Sequence, residues 1–414
     1  MKLSGTPSTG RNGRFVFYAH DGLGLGHTRR NLAIAAALVE LCPQASILVA
    51  SSTDDAHRLG LPPRVELLRL PGLRKTANDE YHSRRLPVQR EEIRHLRASL
   101  LEATIKSFRP DVVLVDKHPF GARGEFRAGL AALKEYGGRS VLGLRDILDE
   151  PATVRQEWAE YGLQERIAEF HDRVFVYGER AVLDPVAEYD LPPSLGRRTS
   201  FCGYVVNRDD EAHPEPRPVE FSRDGRRRPV VLATTGGGED GFALLLNFIE
   251  VAARASWQGV AIAGPMTPAH ELSLLRGKAI AAGVLLHTFI PRLPVLFGSI
   301  DALVCMGGYN TLTEAASQAV PTVCIPRVVP RTEQLIRARA FERLGLLALL
   351  HPDDLNPDSL STAVGAALDR PRAEIRAHVE ATLSFDGARR AAQELLALAC
   401  LEAGAPEAIA SATY

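Results

Sequence analysis

The chain has few cysteines and no pattern among them. Five are scattered over 414 residues (Cys42, Cys202, Cys305, Cys324 and Cys400), none in a CxxC pair, and the number is odd. A disulfide framework is excluded and a zinc site is disfavoured, as suits a reducing cytoplasm. Net charge is almost absent, at −1, so nothing marks nucleic acid as a partner. No run of eighteen apolar residues exists, and no membrane span is expected. Residues 1–13 are polar and lack the apolar centre of a signal peptide, so they read as a disordered tail. Core material is plentiful: 45% of the chain is apolar, and its length allows two or three domains.

The most informative stretch is Gly307-Gly308-Tyr309-Asn310-Thr311-Leu312-Thr313-Glu314. It follows the apolar run Asp301–Met306, which reads as a buried strand, and leads into helix formers that end at Val320-Pro321. Strand, glycine pair and helix start together make an anion site. The glycines let a ligand approach the backbone, and open N–H groups plus the helix dipole favour negative charge. Glu314 lies four residues after Asn310, on the same helical face. A carboxylate beside such a site suits the hydroxyls of a ribose. Thr311 to Glu314 also fits a capping box, which would be purely structural.

Taken in order, the chain opens with a short strand, Arg14–Ala19, then a loop with Asp21, Gly22, Gly24, Gly26 and His27, then a helix over Asn31–Leu41. The glycine spacing is not GxGxxG, and no acidic residue follows at the distance a ribose needs. A nicotinamide or flavin enzyme is therefore rejected. A histidine at a helix mouth brings an imidazole into a cleft, as a general base or an anion contact. Residues 71–87 lack periodicity and read as an irregular loop carrying Lys75, Asp79, His82, Arg84 and Arg85. The helix Val88–Phe108 follows. The run Pro110–Asp116 is nearly all apolar, as a parallel strand buried on both faces requires. It ends in Asp116-Lys117-His118, and the strand after it ends in Arg145-Asp146. Ligands of open α/β sheets bind beyond the carboxyl ends of strands. Asp116, His118, Arg145 and Asp146, with Arg29 near His27, are thus placed for chemistry or acceptor contacts.

From residue 207 to 228 charge and proline replace apolar periodicity, which reads as a linker. A second alternation of strands and helices then begins. Its first strand runs into Thr235-Gly236-Gly237-Gly238, another glycine loop before a helix. Glu333 and Gln334 open a later helix at another strand's carboxyl end. The expected organisation is a tail at 1–13, a first Rossmann-like domain at 14–206 and a linker at 207–228. A second Rossmann-like domain spans 229–384, and a last helical segment at 385–414 returns to the first domain. The fold class is α/β, with two doubly wound parallel sheets facing across a cleft.

These residues resemble the two-domain GT-B glycosyltransferases, above all the branch containing MurG, and bacterial predicted glycosyltransferases of unassigned substrate. The likeness spans roughly Arg14 to Leu401. It is most specific in Phe289-Ile290, Gly307-Gly308, Glu314, Pro326 and Glu333-Gln334, and in Gly24-Leu25-Gly26-His27 near the start. It implies a nucleotide-sugar donor, UDP- or dTDP-linked, transferred with inversion and without a metal or other cofactor. Phe289 and Ile290 would meet the base through their backbone, and Glu314 the ribose. Gly307, Gly308, Asn310 and Thr311 would hold the pyrophosphate, joined by the loop Thr235–Gly238. Glu333 and Gln334 would hold sugar hydroxyls. His27 would stand at the reacting centre as first candidate for the base, and Asp116 as second. Asp21, Gly26, Arg29, His118, Arg145 and Asp146 fall on the acceptor side. The branch carries two glutamines where this chain has Glu333-Gln334, which leaves the sugar open. So is the acceptor, a small molecule or a lipid-linked one, and with it a peripheral membrane contact. Two rival readings share the donor site: a nucleotide-sugar 2-epimerase or hydrolase, and a non-catalytic sugar-nucleotide-binding protein.

Overall fold

The computed structural model describes residues 13–19, 26–53, 60–77, 80–160, 162–206 and 228–399. Two parallel sheets dominate. The first is built from β1 (Arg14–Tyr18), β2 (Ser46–Ser51), β3 (Val65–Arg69), β6 (Val112–Asp116), β7 (Arg139–Arg145), β8 (Arg173–Tyr177) and β9 (Thr199–Phe201), in the order β3-β2-β1-β6-β7-β8-β9. The second holds β10 (Val230–Thr234), β11 (Gln258–Ile262), β12 (Leu285–His287), β13 (Ala302–Cys305), β14 (Thr322–Cys324) and β15 (Ala348–Leu349), in the order β12-β11-β10-β13-β14-β15. Strand composition explains the layering. β6 and β13 are buried along their whole length, because helices cover both faces of a parallel sheet.

Each order reverses once, between β1 and β6 in the first sheet and between β10 and β13 in the second. Where the order reverses, successive connections leave to opposite faces and open a crevice at the carboxyl ends of the strands. His27 follows β1 and Asp116 ends β6. Thr235–Gly238 follow β10 and Gly307-Gly308 follow β13. The four motifs read from the sequence thus sit at the two crevices.

Residues 71–87 are not the irregular loop expected. β4 (Leu73–Ala77) and β5 (Glu80–Ser83) form an antiparallel hairpin beside the helix Arg90–Phe108. The short charged strands carry no alternation. Leu73 is buried against Ile93 and Ala122. The first long helix begins earlier than its composition suggests, at Gly26 rather than Asn31. At the other end, the helix Gly387–Leu398 lies on Gly26–Leu41 and buries Ala391, Ala392, Leu395 and Leu396. Gly387 lets this helix start against the chain that follows β9. A Cβ there would come within 2.5 Å of the Gly203 carbonyl oxygen. Among the described residues, no helix is long and apolar enough to cross a membrane.

One buried histidine couples the first domain to pH. His171 contacts Ser140 Oγ through Nδ1 at 2.7 Å and the Pro119 carbonyl oxygen through Nε2 at 2.9 Å. Nε2–H donates to the carbonyl, so Nδ1 accepts from the serine, and the ring is neutral. Burial pushes its pKa down to about 4, from an ordinary 6.5. The unfolded chain therefore binds the extra proton first as pH falls. Stability held above pH 6.5 should decline by roughly 3 kcal/mol on the way to about pH 4. Urea midpoints at pH 7 and pH 4.5 measure the loss, and His171→Gln should shrink the difference between them.

Candidate active site

The first crevice is built around Asp116. Its carboxylate is fully buried, contacting His27 Nδ1 at 3.0 Å and Arg30 Nη2 at 2.8 Å. Burial opposes its charge, yet Arg30 and then His27 outweigh that, and its pKa is held at about 2. Asp116 is thus anionic at any working pH, and as a weak base enclosed by His27 and Arg30 it is better placed to support His27 than to meet an acceptor itself. Nδ1 of His27 also lies 2.9 Å from Arg30 Nη2. A permanently charged Asp116 favours a proton on Nδ1, donated to the carboxylate, and in that tautomer the ring lone pair is on Nε2. Arg30 was missed in the sequence, although it follows His27 by three residues and shares its helical face. Its guanidinium lies against the rings of Tyr177 at 4.9 Å and Tyr309 at 5.4 Å.

Across the cleft, the helix Tyr309–Ser317 starts at Gly308, with no side chain capping it. The capping-box reading of Thr311 and Glu314 therefore fails. Glu314 is nearly buried and its Oε1 lies 3.8 Å from Arg29 Nη2, in the other domain. Gly307 and Gly308 have different tasks. Gly307 has φ +84°, and a Cβ there would sit 3.0 Å from Cys324 Sγ. At Gly308 a Cβ would meet nothing within 4 Å among the described residues, so the backbone there lies open. The Gly307 oxygen accepts from Arg337 Nη1 at 3.1 Å. Because the peptide is planar and trans, that bond aims the Gly308 N–H the opposite way, toward the helix mouth. Asn310 is part-buried, and its Nδ2 would lie 3.0 Å from a Cβ placed on Gly26. The two helix mouths therefore meet.

The glycine loop after β10 is mostly packing. Thr235 donates its hydroxyl to Ala263 O at 2.6 Å. A Cβ on Gly237 would lie 2.5 Å from Met266 Cε, and one on Gly238 would lie 2.4 Å from Ala263 O. Gly236, at φ +68°, faces open space. Only the backbone of this loop is offered to a ligand, chiefly at Gly236. Glu333 and Gln334 are organised by Arg327, another residue the sequence did not mark. Arg327 Nη2 pairs with Glu333 Oε1 at 3.0 Å, its backbone N–H donates to Gln334 Oε1 at 3.0 Å, and its Nη1 reaches Asp240 at 3.2 Å. Glu333 Oε2 is buried without a hydrogen-bond partner. Phe289 is 60% exposed and Ile290 packs on the main core.

On the acceptor side, Asp21 lies outside the described residues. Gly26 starts the helix that carries His27 and Arg29, and His118 donates its N–H to Asp116 O in the turn after β6. Arg145 is part-buried at the end of β7. Asp146 is not available to an acceptor. It is fully buried in a two-point ion pair with Arg337, Nε–Oδ2 2.9 Å and Nη2–Oδ1 2.7 Å, and it also accepts from Tyr204 OH. Arg337 belongs to the second domain, so this pair fastens the two together. Arg337 follows Glu333 by four residues on one helical face, a signal the sequence did contain. Nearby, Arg331 bonds Asp149 and Glu157, and Tyr309 OH donates to the Tyr177 carbonyl. A cavity of about 320 Å³ near Arg69–Gly72 and Ser83–Leu86 includes none of these site residues.

No family model matches the chain. A relative named UDP-N-acetylglucosamine--N-acetylmuramyl-(pentapeptide) pyrophosphoryl-undecaprenol N-acetylglucosamine transferase, from Limosilactobacillus fermentum, is 23% identical over 385 residues, 90% of this chain and 94% of that protein. The NDP-glycosyltransferase YjiC of Bacillus licheniformis is 27% identical over 310 residues, 71% and 74% of the two chains. Among solved structures, the calicheamicin glycosyltransferase CalG4 superposes with TM-score 0.60 at 20% identity, over 94% of this chain and 98% of its own. MurG of Acinetobacter baumannii gives TM-score 0.60 at 12% identity, over 94% and 100%. The two-sheet architecture is the GT-B fold.

Breaking the inter-domain pair should be costly. Arg337→Met leaves Asp146 buried without its counter-charge, and roughly 3–5 kcal/mol of stability should be lost. Replacing both, as Arg337→Met with Asp146→Leu, should recover most of it. Urea unfolding of the two variants makes the comparison.

Proposed function

We propose that this chain, a MurG-like glycosyltransferase of GT-B fold, moves a sugar from a UDP-linked donor to an acceptor hydroxyl, inverting the anomeric centre. The observation that carries this reading is the His27–Asp116 pair at one sheet's crevice, facing the Gly308 helix mouth at the other's. The second domain takes the donor. Ribose hydroxyls replace Arg29 on Glu314, and the diphosphate lies on the N–H groups at Gly308 and Gly236. Glu333 Oε2 and the Gln334 amide take hydroxyls of the sugar. The backbone after β12, at Phe289 and Ile290, borders the base.

His27 Nε2 accepts the acceptor's proton as its oxygen attacks the anomeric carbon. The bond from that carbon to the β-phosphate oxygen breaks, and UDP departs with the charge. Asp116 acts through His27: it fixes the ring and stabilises the imidazolium that forms. Negative charge on the leaving diphosphate is met by backbone N–H groups and the helix dipole. Those groups are held in place before reaction, which is why the reading needs no divalent metal.

His27→Ala should lower turnover about 10²- to 10⁴-fold with little change in donor affinity. UDP release in the presence of acceptor, with isothermal titration of the donor, separates the two effects, and undiminished turnover removes His27 from the mechanism. A thermal-shift screen across UDP-, dTDP- and GDP-sugars identifies the base. UDP release from donor alone would indicate an epimerase or hydrolase, and release only with acceptor indicates transfer. Turnover should persist at an unchanged rate in excess EDTA; a rate restored only by a divalent metal would reject the metal-free assignment.

A further inference from the structure

Among the described residues Arg145 is a cation of this cleft that no carboxylate pairs with. Its neighbours are matched: Arg30 by Asp116, Arg337 by Asp146, Arg331 by Asp149 and Glu157, and Arg327 by Glu333 and Asp240. Among the described residues Arg145 makes no ion pair, and its Nε is buried without an acceptor. Burial pushes its pKa down and the like charge of Arg337 pushes the same way, as does Arg30, while Glu333 and Asp146 pull it back up. A guanidinium does not escape such a site by losing its proton. The cation is kept in place at a cost, with no ion pair among the described residues.

Glu333 supplies the second observation. It stands at the start of the helix that also bears Arg337, in the other domain. Its carboxylate acts on Arg145, yet the two do not pair. One oxygen is spent on Arg327, and the other is buried and unpartnered. Two groups of opposite sign, each with one buried atom lacking a hydrogen-bond partner, therefore stand in opposite domains, at the end of β7 and at the start of the helix that follows β14. A single ligand satisfies both if it carries an anionic oxygen beside a hydroxyl donor. Phosphate oxygens suit a guanidinium fork, and a sugar hydroxyl suits the bare carboxylate oxygen.

We propose that Arg145 is a phosphate contact, binding non-bridging oxygens of a phosphate ester on the ligand while Glu333 Oε2 takes an adjoining sugar hydroxyl. The proposal rests on the sugar-transfer reading of the cleft. The phosphate belongs either to the donor's diphosphate or to a phosphate on the acceptor. In the first case Arg145 reaches across the cleft to the leaving group, so donor binding itself draws the domains together. In the second, the acceptor is a phosphorylated compound.

Isothermal titration on the full chain at fixed low salt separates these. UDP, uridine and inorganic diphosphate are the probes, with wild type, Arg145→Gln and Arg145→Lys. If the donor supplies the phosphate, Arg145→Gln should weaken UDP about 10- to 100-fold and leave uridine unchanged, with Arg145→Lys in between. If the acceptor supplies it, UDP should bind all three alike. Inorganic diphosphate added to the UDP complex should then bind wild type and not Arg145→Gln. Equal binding of every probe to wild type and Arg145→Gln overturns the proposal. Should Arg145→Gln fail to fold, Arg145→Lys decides, since a single ammonium cannot replace a two-point fork. A wild-type protein that binds no nucleoside diphosphate refutes the transfer reading instead. The inorganic diphosphate titration still judges Arg145.

Discussion

The ion pair between Asp146 and Arg337 holds the two halves in one working geometry. Both side chains are fully buried, and each is the other's counter-charge across the domain boundary. Burial alone disfavours both ions; their mutual attraction and added hydrogen bonds offset it. Arg337 spends its third contact on the Gly307 carbonyl. The residue that fastens the domains therefore also sets the direction of the first open N–H at the helix mouth. Domain arrangement and anion site are one construction.

Around that pair the chemistry is divided between two crevices. The first holds a cluster of titratable and charged side chains: a histidine, the carboxylate paired with it, and a buried arginine whose guanidinium lies near two tyrosine rings. The second holds backbone donors. Tyr309 joins them, since its ring lies near both Arg30 and Arg337 and its hydroxyl bonds the end of β8. A loop rich in glycine need not be a binding loop throughout. Gly238 and Gly237 admit close packing, while Gly236 meets nothing within 4 Å among the described residues. Arg327 links this loop to the sugar-side residues through Asp240 and Glu333.

Much of this was legible in the sequence, for a physical reason. Parallel strands buried on both faces must be continuous apolar runs, and the crevices lie where those runs end in glycine or charge. Strand ends therefore exposed His27, Asp116, Gly307 and Arg145 together. Pairings were not legible. His27 and Asp116 stand 89 positions apart, and Asp146 and Arg337 stand 191 apart. Only folding brings them together. Arg145 and Asp146 looked equivalent as neighbours at one strand end. Consecutive residues there project to different sides, and one became a domain fastener while the other stayed unpaired. The hairpin of β4 and β5 escaped notice because its strands are short, charged and without alternation.

The packing beneath Gly307 has a consequence of its own. Cys305 and Cys324 are register partners on β13 and β14, and the Cys324 sulfur fills the space a Cβ on Gly307 would need. Burial raises the Cys324 thiol well above its ordinary pKa, so it is a poor nucleophile while the sheet is intact. An alkylating reagent reaches this pair only when the floor of the anion site opens. The rate at which these sulfurs are alkylated would thus report how often the second sheet loosens around β13 and β14.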